Sequence, residues 1–183
     1  PEDPRRPLLD LRASDDAGER MSAVDELIKS LLAANTVAYS WCQLAEAVVA
    51  TANPAMRRDG LAAIQPGAGP ANLLLRATLE SSLGRSAEAA EHAEAAALSS
   101  PENMSIQSQS VTMLGLIGRT DAIVRIYKRW LDVANEVYPF QVAQLAQVML
   151  TRGDAMAAIE ALDRTKDDYG YTDRVRLRAA LML

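Results

Sequence analysis

Apolar residues along this chain recur at helical spacing, not at the alternation of a strand. Val24, Leu27, Ile28, Leu31 and Leu32 fall at i, i+3, i+4, i+7 and i+8 and form one stripe. Asp25, Glu26 and Lys29 take the opposite face. The pattern predicts a helix over 22–34, after which Asn35 and Thr36 offer a stop and a fresh N-cap. The next helix should bury Val37, Trp41, Leu44, Ala45 and Val48. Asn53-Pro54 combines a cap with a proline at the first helical position and opens a short helix to about Ile64. Pro66, Gly67, Gly69 and Pro70 then break the pattern.

From Pro70 onward the helices come in pairs. Leu75, Leu79 and Leu83 line a first helix that ends at Gly84, and Ser86 is expected to cap an alanine-rich partner through Ala97, with Pro101 closing the pair. The second pair runs from Met104 to Gly118 and from Thr120 to Ala134, with Ile123, Tyr127, Trp130 and Ala134 on one face. The third opens at Pro139. Its first helix carries Val142, Leu145, Ala146 and Met149 to Gly153, and its second carries Ala155, Ala158, Ile159 and Leu162. Thr172 and Asp173 start one more helix. Gly84, Gly118 and Gly153 are separated by 34 and 35 residues. A fixed period with a turn in mid-unit is the mark of stacked helix–turn–helix repeats. The expected organisation is a flexible arm or linker over 1–20 and a helical repeat domain over 21–183. The domain would hold the helix 22–34, a degenerate repeat 36–69, repeats 70–103, 104–138 and 139–172, and a partial repeat 173–183.

These units resemble tetratricopeptide repeats. That family uses a unit of about 34 residues, with a small residue in the first helix, a small residue and an alanine in the second, and a proline near the end. Ala77, Ala89, Ala96 and Pro101 stand at those places in 70–103. In 104–138 Tyr127 takes the place of the family's large residue, while Val111, Ile123, Trp130 and Asn135 depart from the pattern. In 139–172 Ala146, Ala158 and Leu162 fit, and Thr165 and Gly170 do not. Ala55 and Ala62 mark the degenerate unit, and the aromatic residues of the family's first helix are missing throughout. The resemblance covers roughly 36–183. It implies an all-α fold, a right-handed superhelix of stacked antiparallel helix pairs. Each pair leaves an apolar face that its neighbour covers, so a further partner helix is expected beyond Leu183 in a longer parent chain.

Composition narrows the function. Of 183 residues, 49% are apolar but only 4% aromatic, which suits close helix packing through alanine and leucine and argues against a sheet. The net charge of −5 shows no basic field for nucleic acid. No apolar run reaches the length of a membrane span. The single cysteine, Cys42, excludes an intrachain disulfide without fixing the compartment. A soluble location is expected, with the cytoplasm favoured over the periplasm.

No catalytic constellation is evident, and neither a cofactor nor a metal is expected. His92, the only histidine, lies among Glu88, Glu91 and Glu94 and reads as solvated or packed, since a metal site would need more His or Cys ligands. Cys42, beside Trp41 on a helix, reads as a small buried hydrophobe. Gly67-Ala68-Gly69 lacks the Gly-Lys-Ser/Thr ending of a phosphate loop. Arg174 and Arg178 share a helix face and read as solvated, or paired with Asp167 and Asp168. Tyr127 and Trp130 read as core.

The family resemblance implies that the first helices line a concave groove. Partner-binding candidates there are Leu74, Thr78 and Ser81 in the first full repeat, and Ser105, Ser108, Gln109 and Thr112 in the second. The third adds Phe140, Gln144, Gln147 and Thr151. This set carries hydroxyls, amides and apolar groups and no charge. The expected function is a non-catalytic scaffold or adaptor domain that holds a protein or peptide partner. A regulatory or dimerisation domain of a transcription regulator or sensor remains open, as does an accessory domain of an enzyme. Self-association is open as well.

Overall fold

The computed structural model describes residues 16–33, 39–65, 67, 69–133, 138–165, 170 and 172–183. Every regular element among them is a helix. By internal packing the chain divides into two compact units, Pro1–Met113 and Leu114–Leu183.

The first unit contains α1 (Ala17–Ala33), α2 (Tyr39–Thr51), α3 (Pro54–Ala63), α4 (Pro70–Ser82), α5 (Ser86–Ser99) and most of α6 (Met104–Ile117). Helix α1 starts at Ala17, ahead of the expected start at residue 22. Asp16 is the reason: its Oδ1 accepts from the backbone N–H of Gly18 at 2.8 Å and of Glu19 at 3.0 Å, which caps the helix. The expected stripe is buried at Val24, Leu27, Ile28 and Leu31, with Leu32 half-buried. In α2, Ala45 and Val48 are buried, whereas Val37, Trp41, Cys42 and Leu44 lie outside the described side chains, as do residues 1–15 and the expected cap at Asn35 and Thr36.

Helix α4 is the hub of this unit. It packs against α1, α2, α3 and α5, and Leu74, Leu75, Ala77 and Leu79 are all at most 1% exposed. Gly60 lets α3 come close: a Cβ there would meet Ile28 of α1 at 3.3 Å and Leu79 of α4 at 3.5 Å. The α4–α5 contact is built from alanines. Ala77, Ala89, Ala93 and Ala96 are fully buried, so the two backbones approach with little side-chain bulk between them.

Three helix ends share one construction. Helices α4, α6 and α8 (Pro139–Thr151) end in Gly84, Gly118 and Gly153 with φ of 78°, 83° and 79°. After each glycine the next N–H reaches back five residues: Arg85 to Glu80 at 2.9 Å, Arg119 to Leu114 at 2.8 Å, Asp154 to Met149 at 3.0 Å. This is the Schellman closure, in which a left-handed residue satisfies the last carbonyls. The turn also corrects one expectation. Ser86 is the first residue inside α5, with Arg85 at the cap position and no side-chain cap bond. Asn53, Asn103 and Asp154 do cap: their Oδ1 atoms accept from N–H groups two or three residues ahead.

The second unit holds the end of α6, α7 (Thr120–Val133), α8, α9 (Ala155–Leu162) and α10 (Asp173–Ala180). Helix α7 is strongly two-faced. Ala122, Ile123, Ile126, Tyr127, Trp130 and Leu131 are buried, while Arg125, Lys128, Arg129 and Asp132 are exposed. Helix α8 packs against α7, α9 and α10, and α9 against α10. Val142, Leu145, Ala146, Ala158, Leu162 and Ala179 are fully buried. Helix α10 is tied by Arg176, whose guanidinium donates to the Leu162 carbonyl and to Asp163 Oδ1, both at 2.6 Å.

Candidate functional site

The eleven expected partner-binding residues form one row on each of α4, α6 and α8. Those on α4 and α6 belong to the first unit and those on α8 to the second. On α4, Leu74 is 1% exposed. It is core, because α4 is covered by four other helices, and it presents nothing to a partner. Thr78 is half-buried and Ser81 exposed. On α6, Ser108 and Thr112 are exposed, and Ser105 and Gln109 are half-buried. On α8, Phe140 is 50% exposed, Gln144 and Thr151 are exposed, and Gln147 is half-buried.

Three of the six hydroxyls in these rows turn back on their own helices. Thr78 Oγ1 donates to the Leu74 carbonyl at 2.8 Å, Thr112 to Ser108 at 2.9 Å, and Thr151 to Val148 at 2.7 Å. A threonine bonded this way has used its single donor and keeps only its lone pairs for a ligand. On α8, where Thr151 is the only hydroxyl of the row, donation outward therefore falls to the amides. Of these, Gln144 is held in place: Tyr127 O–H on α7 donates to its Oε1 at 2.7 Å. Tyr127 is 5% exposed, and burial pushes its phenol up to about 12, so it remains a donor throughout the physiological range. The sequence reading placed Tyr127 correctly in the core and missed this bond, whose partner lies 17 residues away.

A second polar cluster lies between α4 and α5. Glu80, with a side chain 6% exposed, accepts from His92 Nδ1 at 2.7 Å, and Arg76 Nε stands 3.9 Å from its other oxygen. His92 is thus packed against a buried carboxylate. Its side chain keeps 28% exposure. This pair joins two helices and brings no nucleophile with it.

Among the described residues no group of three or more His, Cys, Asp or Glu side chains is placed to hold a metal ion. None of the described helices is long and apolar enough to cross a membrane. Gly67 has a φ of 76° and lies in a turn, and Ala68 is outside the described residues. Arg174 and Arg178 are exposed, while Asp167 and Asp168 lie outside the described residues. Neither a family model, nor a curated protein, nor a solved structure matches this chain.

Proposed function

We propose that this chain is a non-catalytic interaction module of the tetratricopeptide-like kind. Its helix pairs stack into a right-handed superhelix, and the first helices of the pairs hold an extended, weakly charged peptide segment of a protein partner. The observation that carries this reading is the row on α8. On a chain with 23% charged residues, Phe140, Gln144, Gln147 and Thr151 place an exposed ring, two amides and a hydroxyl along one helix with no charge among them. An exposed aromatic beside an oriented amide suits main-chain recognition better than it suits solvent alone.

The test is selection of a random-peptide display library on the immobilised chain, beside a variant with Thr78→Arg, Gln109→Arg and Gln147→Arg. Neutral peptides should bind the wild type, be lost by the variant and hold their affinity as salt rises. Affinity that collapses with salt, or peptides that the variant retains, would remove the uncharged groove as the binding face.

One observation favours a second reading. Leu177 and Leu181 on and just after α10 are 63% and 80% exposed, a pair one turn apart that suits self-association. Sedimentation of the wild type and of Leu177→Glu separates the two, since only a dimerisation domain would lose mass on that change.

A further inference from the structure

The Tyr127–Gln144 bond fixes which end of an exposed amide faces outward. With Oε1 accepting from the buried phenol, the two Nε2 donors of Gln144 are directed away from that bond, and no bond from them occurs among the described residues. The cost of orienting a long amide is thereby met within the folded protein, which is what a preorganised recognition group requires. One turn earlier on the same helix stands the half-exposed Phe140.

The spacing is commensurate with an extended occupant. Phe140 and Gln144 are separated by about 6 Å along the helix axis, from a rise of about 1.5 Å per residue. An extended peptide presents groups on one side every second residue, about 6.7 Å apart. A strand laid along α8 would therefore keep step with Phe140 and Gln144 and, over two further turns, approach Gln147 and Thr151. The row offers donors, acceptors and a ring but no charge, so its complement is a neutral backbone.

We propose that Gln144, held by Tyr127, is the donor with which the second unit reads main-chain carbonyls of an uncharged, extended peptide whose apolar side chain rests on Phe140. Tyr127 is a positioning residue, acting through Gln144 without touching the peptide. This assignment rests on the peptide-binding reading of the module and names the group that does the reading.

The probe is the tightest peptide from the display selection, measured by calorimetry and by the side-chain amide resonances of uniformly ¹⁵N-labelled protein. Gln144→Met, which keeps length and neutrality, and Phe140→Ala should each weaken it about tenfold, the loss of one hydrogen bond or one good apolar contact. Tyr127→Phe keeps the ring and frees the amide, and should weaken binding about three- to fivefold, less than outright loss of that bond. The Gln144 side-chain amide signals should shift on adding peptide to the wild type, and should already be displaced in Tyr127→Phe before any peptide is added. Equal affinity in all three variants overturns the assignment and leaves the module reading standing. A Tyr127→Phe protein with a lower melting temperature but unchanged affinity and amide signals makes Tyr127 core alone. Failure to select any peptide removes the module reading and this assignment together. Gln144 is exposed, so Gln144→Met remains decisive even if Tyr127→Phe does not fold.

Discussion

The guanidinium of Arg57 on α3 donates to the Ser82 carbonyl at the end of α4, 3.1 Å away and 25 residues along the chain. Its other nitrogens reach the end of α2: Nη2 to the Val49 carbonyl at 2.7 Å and Nε to Ala52 at 2.9 Å. One half-buried side chain thus satisfies the terminal carbonyls of two helices that have no intrahelical donor. The positive charge also sits where two helix dipoles are negative.

Arg57→Ala should therefore cost about 2–3 kcal/mol, since three carbonyls lose a charged donor together. Arg57→Lys should recover less than half, because an ammonium cannot span three acceptors set in a fork. Urea denaturation of the three proteins measures this. A loss under about 0.5 kcal/mol, the scatter of an ordinary surface change, would show that water replaces the guanidinium.

Gly84 and Gly115 should respond in opposite directions to alanine. At Gly84 a Cβ would meet nothing within 4 Å, so the penalty of Gly84→Ala is that of a left-handed backbone, about 1–2 kcal/mol. Gly115 lies inside α6, and its added Cβ would meet only Ile123 Cδ1 at 4.0 Å, an ordinary contact. Gly115→Ala should stabilise the protein by about 0.5–1 kcal/mol through helix propensity and a less flexible unfolded chain. Melting temperatures of the two variants check the sign, and the sign is the informative part. If both destabilise, α6 is strained at Gly115.

Much of the helical plan is legible in the sequence, for local reasons. Pro54, Pro70 and Pro139 open helices, Gly84, Gly118 and Gly153 close them, and both signals act within a few residues. What escaped was set by distance in part, and by local rotamer and turn geometry in part. Leu74 carries the same apolar signal whether it faces a core or a groove, and only the wrapping of α4 by four helices decides. Ser86 looked like a cap because serine often is one, yet the Schellman turn places Arg85 at that position. The polar rows were visible as residue types. The rotamers that turn Thr78, Thr112 and Thr151 onto their own backbones were not, and neither was the long-range anchor of Gln144.

The Glu80–His92 pair should show asymmetric mutational costs. His92→Ala leaves a carboxylate that is 6% exposed with only Arg76 nearby, at 3.9 Å. Stranding a buried charge in this way costs about 2–3 kcal/mol, short of a fully buried pair because His92 itself is partly solvated. Replacing both residues by leucine removes the charge along with its partner and should recover most of that loss. A double-mutant cycle by chemical denaturation gives the coupling. Additive losses would show that Glu80 is solvated well enough to stand without His92.

Tyr127 makes stability sensitive to alkaline pH. Its phenol titrates near 10.0 in an unfolded chain and is pushed up to about 12 by burial in the folded one. The buried phenol must stay neutral, so between these values the unfolded state loses the proton first. The folded state then holds more protons than the unfolded state, and stability falls as pH rises. The contribution is complete below pH 10 and is lost on the way to 12. A separation of about two units corresponds to about 3 kcal/mol over that window. The comparison is between the wild type and Tyr127→Phe, each unfolded by urea at pH 9 and again near 11.5, so that every contribution other than that of Tyr127 cancels. The wild type should lose more stability than the variant over this interval, by about 2 kcal/mol. Equal losses would place the ionised phenol in contact with water, and with it the Gln144 bond at the protein surface.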